Sequence, residues 1–391
     1  MADLTRLTIA TPPGRGGIAE LHVWGPKASA IADKVFRSKS GITISRSAPG
    51  RILYGHLQNS GETIDEAIAV RRENDRIYGS ETVEIGCHGG DAAAREAAGL
   101  LAGYGAASVT RDDVFEEAVI RGRISRMEAE AQAALLTCAS AKVLPALLEE
   151  IASHPLEKRS RKILEEISAD PGSAARKIRA LLENTWAVPF VEPRSVFIAG
   201  FPNVGKSSIF NALCEKKRAI VHDSPGTTRD VIEEEISLDG LPLKLFDSAG
   251  MGESKDEIEW LAEEFALRGA RQADLVVFVF EGSRPVKERE MKLYRRLDCG
   301  KLIPIINKAD LPDESDGFAP EGAMKVSAST GAGMEKLKHM LATEVLGPNE
   351  PNDGPAVFTG RQSELLREAL DFLKKDDRGK AAKKIAELIG T

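Results

Sequence analysis

The sequence is poor in the features that mark secreted, membrane-spanning and disulfide-rich proteins. Its 391 residues include only four cysteines and 5% aromatic residues. The cysteines, at positions 87, 138, 214 and 299, have neither the pairing nor the spacing of a disulfide framework or a zinc site, so we expect reduced thiols in a cytoplasmic protein. No apolar run approaches the length of a membrane span, and the first residues lack the basic-then-apolar build of a signal peptide.

The charge balance limits the partners that the chain can have. Acidic residues number 60 and basic residues 53, which gives a formal net charge of −7. This balance argues against a broad electrostatic surface for nucleic acid but leaves a local basic patch open. A chain of this length predicts two or three domains, each able to bury its own core.

The most informative stretch is SVFIAGFPNVGKSS at 195–208. An apolar, β-branched run leads into Gly200. Gly205, Lys206 and Ser207 follow, and a segment with helical character comes next. This is the phosphate-binding P-loop pattern in the strand–loop–helix context that it requires. Glycine lets backbone N–H groups turn towards phosphates. Lys206 is predicted to reach the β- and γ-phosphates and the hydroxyl of Ser207 to bind Mg²⁺.

Three further motifs follow in the order of a guanine-nucleotide domain. DSAG begins at Asp247 after an apolar strand, NKAD occupies 307–310, and SAS occupies 327–329. Asp310 can accept hydrogen bonds from N1–H and the 2-amino group of guanine, which adenine does not offer, so the sequence predicts GTP rather than ATP. The polar, glycine-containing segment 223–230 has the composition of a switch loop.

The residues alone leave the catalytic group open. Met251 follows DSAG where many GTPases have a water-orienting glutamine, and a methionine side chain cannot orient water. The nearest acidic segment is DEIE at 256–259, and each of its acids could equally be a solvated residue at the start of a helix.

The order of the patterns predicts an α/β protein in which one domain is inserted into another. Residues 1–120 alternate strand-like and helical runs, which is typical of a small α/β domain. Helical periodicity dominates 121–193 and returns in 349–391, on either side of the P-loop region at 194–348. Because each helical segment alone is too short for a good core, we expect one helical domain interrupted by an inserted, Ras-like P-loop GTPase domain with a mostly parallel sheet.

At this point the residues resemble the family of tRNA-modification GTPases called MnmE or TrmE. The similarity covers ATPPGRGGIAELHVWGPKA near the start, YGSETVEIGCHGG, AVIRGRISRMEAEA and the whole set of GTPase motifs, in the same domain order. The TPPGRGG start combined with an inserted GTPase domain is specific to the family. The resemblance implies a homodimer, a K⁺ ion in place of an arginine finger, and action with an MnmG-like flavoprotein on the wobble uridine of tRNA.

The resemblance also implies roles within the nucleotide site. It makes Glu259 the water-orienting catalytic acid and Thr228 the second Mg²⁺ ligand. The implied K⁺ ligands are the catalytic Asn203 together with His222, Ser224 and Thr227. Combined with the motifs, the expected contacts to GTP or GDP are Asn203, Val204, Gly205, Lys206, Ser207, Ser208, His222, Asp223, Ser224, Pro225, Gly226, Thr227, Thr228, Asp247, Ser248, Ala249, Gly250, Asn307, Lys308, Ala309, Asp310, Ser327, Ala328 and Ser329.

The chain departs from the family at the positions of its modification chemistry. The family's pocket for 5-formyltetrahydrofolate uses Arg, Glu and Lys, which align here with His22, Glu84 and Arg123. Family members usually end in Cys-Ile/Leu-Gly-Lys, whereas this chain ends in LIGT at 388–391. Two hypotheses follow: a K⁺-stimulated, dimerising GTPase of wobble-uridine modification, and a divergent GTP-dependent conformational switch that has lost folate binding and the modification chemistry.

Overall fold

The N-terminal part of the chain forms a seven-stranded sheet. The computed structural model of the protein describes residues 4–12, 16–214, 232–247, 258–297, 300–314, 320–347 and 351–390. The sheet has the order β3-β4-β5-β6-β2-β1-β7, and all its pairings are antiparallel except that of β1 with β7. Its strands are β1 (Arg6–Ile9), β2 (Ile18–Trp24), β3 (Phe36–Ser38), β4 (Ile52–Asn59), β5 (Glu62–Arg72), β6 (Thr82–His88) and β7 (Ala107–Ser108).

Two helices, α1 (Ala28–Val35) and α2 (Asp91–Gly103), pack against this sheet. Side chains alternate across a strand, so Leu21 and Val23 of β2 are fully buried in the core that these helices share. The residue between them, His22, therefore points to the opposite face of the sheet. On that face several large apolar side chains are exposed, among them Ile52 and Ile68. The sheet thus has one packed face and one open face.

Helices from two distant segments of the chain share a second core. The helices α4 and α6 contact α14, and α7 contacts α13. Fully buried residues such as Leu147, Ile163 and Ile385 belong to this core. Its helices are α4 (Arg126–Thr137), α5 (Leu144–Ser153), α6 (Pro155–Glu166), α7 (Pro171–Leu182), α8 (Val188–Val191), α13 (Gly360–Lys374) and α14 (Arg378–Ile389). The helix α3 (Arg111–Ile120) packs against α4 through a separate small cluster that includes Ala118 and Ala129.

Between these helical segments lies a six-stranded sheet with the order β13-β12-β11-β8-β10-β9. Its pairings are parallel except that of β9 with β10. The central strand β11 is apolar on both faces, as expected for a parallel strand covered by helices. The elements are β8 (Arg194–Ala199), α9 (Lys206–Cys214), β9 (Ile232–Leu238), β10 (Leu241–Asp247), α10 (Ile258–Gln272), β11 (Leu275–Glu281), α11 (Glu288–Arg296), β12 (Leu302–Asn307), β13 (Met324–Lys325) and α12 (Met334–Leu346).

Two polar side chains, the buried Asn184 and the exposed Glu192, hold the chain where it leaves the helices and where it returns. Asn184, 1% exposed, donates from Nδ2 to the carbonyl of Gly354 at 2.7 Å and accepts through Oδ1 from the backbone N–H of Asn352 at 3.3 Å. The carboxylate of Glu192 accepts from the backbone N–H of Gly360, the first residue of α13, at 2.9 and 3.0 Å. These hydrogen bonds therefore link the segment that leaves the helical region to the segment that returns to it.

The predicted fold class, α/β with helical segments and a mostly parallel P-loop domain, is confirmed. The domain limits at 120, 193 and 348 stay a prediction. The short strands β1, β3 and β7, of four, three and two residues, were not predicted, because so few residues show no measurable periodicity. Within the described ranges, no helix is long and apolar enough to cross a membrane.

We expect Asn184→Ala to lower the free energy of unfolding by about 1–3 kcal/mol, because it removes two hydrogen bonds of a buried side chain, each worth about 0.5–1.5 kcal/mol. Urea unfolding followed by circular dichroism measures this loss. Asn59→Ala, at an exposed hairpin position, is the control and is expected to change the transition little. An unchanged urea-unfolding transition for Asn184→Ala would show that the contacts of Asn184 do not stabilise the fold.

Candidate nucleotide-binding site

The predicted nucleotide motifs meet at one edge of the six-stranded sheet. The strands β8, β10 and β12 end at Ala199, Asp247 and Asn307, and the parallel register brings their carboxyl ends to the same edge. Ligands of open α/β sheets bind in the crevice at this edge. Asp247 is fully buried there.

The P-loop follows β8 and lies tightly against the neighbouring strands. Gly200 has φ +148°, and a Cβ there would lie 2.6 Å from the carbonyl oxygen of Val279. Gly205 has φ +94°, and a Cβ there would lie 2.2 Å from Nδ2 of Asn307. Both positions therefore require glycine, for space as well as for backbone conformation. Asn203, exposed on the loop, also has a positive φ of 67°.

Lys206 lies at the start of α9 with its side chain largely buried. Its Nζ donates to the carbonyl of Phe201 at 3.0 Å, so the ammonium group is held over the loop. Burial lowers the pKa of Lys206, and the charge of Asp247 opposes that shift. A polyphosphate would supply negative charge next to this desolvated cation. The exposed hydroxyl residues Ser207 and Ser208 follow in the first turn of the helix, where free N–H groups favour anions.

Asn307 joins the P-loop to the SAS segment. Its side chain is almost fully buried, and its Nδ2 donates to the carbonyl of Val204 at 3.0 Å. Its Oδ1 accepts from the backbone N–H of Ala328 at 3.1 Å. One side chain therefore fixes the phosphate end of the site relative to the segment predicted to meet the guanine base.

Asp310 lies at the opposite, base-binding end of the site. Ser327, fully buried, donates from Oγ to Oδ1 of Asp310 at 2.6 Å, and its Oγ is 3.0 Å from Oγ of Ser329. The bond from Ser327 is the main cause that lowers the pKa of Asp310, so the carboxylate is charged at neutral pH. Asp310 is exposed, and its oxygens retain capacity to accept the two donors on the guanine edge.

Glu281, which sequence reasoning missed, supports the NKAD segment. It ends β11 directly opposite Asn307, and its carboxylate accepts from Nζ of Lys308, from Ser283 at 3.0 Å and from Arg284 at 2.9 Å. The bond from Lys308 and the other donors lower the pKa of Glu281 against the opposing effect of burial. The available signal was an acid that ends the apolar run LVVFVF.

Part of the predicted site falls outside the described residues. Glu259 is the second residue of α10, and its side chain is not described. The remaining positions outside the described residues are Met251, His222, Asp223, Ser224, Pro225, Gly226, Thr227, Thr228, Ser248, Ala249 and Gly250. The roles assigned to all of them stay predictions.

The three positions aligned with the folate pocket lie near Tyr78. His22 and Glu84 are direct partners in the pairing of β2 with β6, and Nδ1 of His22 is 2.5 Å from the hydroxyl of Tyr78. Arg123 donates to the carbonyls of Ile77 at 3.0 Å and of Tyr78 at 2.7 Å. Burial lowers the pKa of Arg123. The structure brings these positions into one region, where His22 and Arg123 already bind groups of the chain itself.

Comparison with known proteins agrees with this geometry. Residues 195–308 match the family described as 50S ribosome-binding GTPase, and residues 5–123 match the family described as GTP-binding protein TrmE N-terminus. The G domain of the FeoB iron transporter of T. maritima is 30% identical, with a TM-score of 0.29, over 39% of this chain and 98% of that one. The strand-loop-helix P-loop, the NKAD and SAS segments and the family match define the central part of the chain as a GTPase.

Two curated relatives identify the family. The tRNA modification GTPase MnmE of Lacticaseibacillus paracasei is 32% identical over 93% of this chain and 86% of its own length. The MnmE of Geobacter sulfurreducens is 32% identical over 98% of this chain and 91% of its own length. The chain belongs to the MnmE family of tRNA modification GTPases, as its motifs predict.

We expect Asn307→Ala to weaken GDP binding by roughly 5- to 150-fold, since it leaves the carbonyl of Val204 and the N–H of Ala328 without their partner, a cost of about 1–3 kcal/mol. Titration with a fluorescent GDP analogue measures the dissociation constant. Asn59→Ala again serves as the control. Equal affinities for the two variants would show that the bridge from Asn307 does not organise the site.

Proposed function

We propose that this protein is a K⁺-stimulated GTPase that works as a homodimer in the modification of the wobble uridine of tRNA, in the cytoplasm and with an MnmG-like flavoprotein. Membership of the MnmE family supports a role in tRNA modification, and the geometry of the nucleotide site supports hydrolysis of GTP. We further propose three domains: an N-terminal α/β domain at 1–120 that dimerises, a helical domain formed by 121–193 and 349–391, and the GTPase domain at 194–348.

The donor set at the sheet edge fits Mg²⁺. The ion prefers oxygen ligands and substrate phosphates, and the hydroxyl of Ser207 is exposed at the start of α9, at the same edge as the buried Asp247. We propose Ser207 and Thr228 as protein ligands, with Asp247 holding the surrounding shell. Bound Mg²⁺ would neutralise charge on the β- and γ-phosphates. The chain itself contributes the P-loop amides and Lys206.

The proposed catalytic residues are Glu259 and Asn203. Glu259 would orient the attacking water, a task that the side chain of Met251 cannot perform. Asn203 would bind K⁺ together with His222, Ser224 and Thr227, and the ion would neutralise the charge that develops as the β–γ bond breaks. The exposure of Asn203 on the P-loop supports its availability for this role.

Steady-state GTP hydrolysis in KCl compared with NaCl tests this proposal. We expect K⁺ to raise the rate, Asn203→Ala to remove most of the K⁺ response, and Glu259→Ala to lower kcat by about 10²–10⁴-fold, the usual range for a lost group that assists proton transfer. Glu264→Ala, an exposed acid on the same helix α10, is the matched control. A rate that is indifferent to K⁺ and to Glu259→Ala would refute the assigned mechanism.

A second candidate function is a GTP-dependent conformational switch without folate chemistry. The contacts of His22 and Arg123 favour it, because a ligand would have to displace the bond of His22 to Tyr78 and the two carbonyl bonds of Arg123. The C-terminal residues Leu388 and Ile389 are also buried in the helical core. Leu388, at the position of the cysteine in Cys-Ile/Leu-Gly-Lys, offers no nucleophile, and Thr391, at the position of the lysine, lies outside the described residues.

The switch hypothesis predicts that calorimetric titration with 5-formyltetrahydrofolate gives no saturable binding at micromolar concentration, because the two cationic positions of the pocket are a histidine and an internally bonded arginine. The double variant His22→Arg, Arg123→Lys restores the family's residues and is expected to bind more tightly than the unchanged chain. Tight binding by the unchanged chain would refute the switch hypothesis and support the modification chemistry.

A further inference from the structure

A corner between two helices of the helical region brings three metal-binding side chains together. Glu150 lies in the last turn of α5, His154 forms the connection, and Glu157 lies in the first turn of α6. His154 has the left-handed conformation, φ 51° and ψ 50°, and Pro155 begins the next helix. This sharp turn places one ligand atom of each side chain within 4.8 Å of those of the other two.

The imidazole of His154 has unused binding capacity at this corner. Its Nδ1 is buried and has no hydrogen-bond partner in the described part of the chain. The nearest carboxylate atom is Oε2 of Glu157 at 4.0 Å, which is too long for a hydrogen bond. A buried ring nitrogen without a partner is costly, and neutral imidazole nitrogen is a common metal ligand.

Glu150 brings a buried carboxyl group to the same point. It is 2% exposed, and no lysine or arginine pairs with it among the residues that the structure describes. Its oxygens accept from the backbone N–H groups of Leu156 at 2.8 Å and Glu157 at 3.2 Å. These bonds orient the carboxylate and leave each oxygen able to bind a further partner. A cation bound at the corner would stabilise the ionised form of this carboxyl group.

Glu157 is held in place by a partner of its own. Its Oε1 accepts from Arg161 at 2.9 and 2.8 Å, while Oε2 faces His154. Outer contacts of this kind orient metal-binding carboxylates. His154 and Glu157 also line a cavity of about 360 Å³ that reaches Arg126 and Gly390. The corner is therefore reachable, and a fourth coordination position would face the cavity.

We propose that Glu150, His154 and Glu157 bind a divalent transition-metal ion, best matched by Zn²⁺, with a water molecule from the cavity as fourth ligand. One imidazole and two carboxylates suit a four-coordinate zinc site. Bonds of about 2.0–2.2 Å at a tetrahedral angle place two ligand atoms about 3.4 Å apart. The separation of 4.0 Å between His154 and Glu157 closes to this value by a small side-chain rotation.

Calorimetric titration of the full chain with ZnCl₂ tests the site, with Mg²⁺ and GDP present so that the nucleotide site is filled. We expect one ion per chain. His154→Asn is expected to weaken the affinity by about 100-fold or more, since loss of outer contacts alone costs 10- to 100-fold. Asparagine adopts the left-handed conformation readily, so this variant keeps the corner. His339→Asn, exposed on α12, is the matched control.

A second readout identifies the ligands and does not depend on His154→Asn folding. Co²⁺ bound by one nitrogen and two carboxylate oxygens should give visible absorption without thiolate charge-transfer bands, and Glu157→Gln should weaken its binding. Three results would each overturn the proposal. They are a titration without saturable binding, the appearance of thiolate bands, and equal affinity of His154→Asn and the unchanged chain.

Discussion

The nucleotide site depends on one buried amide. Asn307 holds the carbonyl of Val204 with its Nδ2 and the N–H of Ala328 with its Oδ1. It also occupies the space that any side chain at Gly205 would need. The phosphate loop and the base-binding segment are therefore spaced by the length of one side chain, and a rigid spacing of this kind suits a ligand with a polyphosphate at one end and a base at the other.

The six-stranded sheet that carries the nucleotide site is joined to the helical region at the two points where the chain passes between them. Asn184 and Glu192 join the outgoing passage to the returning one through backbone groups of 352–360. Any movement of the six-stranded sheet relative to the helical region must either preserve these bonds or break them. Because the side chain of Asn184 is buried and the bonds are directional, they favour two discrete arrangements over gradual deformation.

The N-terminal sheet presents a different kind of surface. Its open face carries His22 and Glu84, and the polar groups there are already bound by neighbours such as Tyr78 and Arg72. The GTPase edge, by contrast, leaves the carboxylate of Asp310 and the hydroxyls of Ser207 and Ser208 exposed. The edge that carries the GTPase motifs thus leaves polar groups available to a ligand, whereas those of the N-terminal sheet are engaged within the chain.

The sequence by itself determined the fold class, the family and the P-loop, NKAD and SAS motifs, because phosphate and guanine recognition depend on backbone conformation and a few residues at fixed spacing. Only the tertiary structure decided the bridge by Asn307, the support of Lys308 by Glu281, the fastening by Asn184 and the corner at His154. These contacts join residues through sheet register, burial and helix packing. Contacts between residues that are far apart in the sequence produce no periodic or local sequence pattern from which they could be predicted.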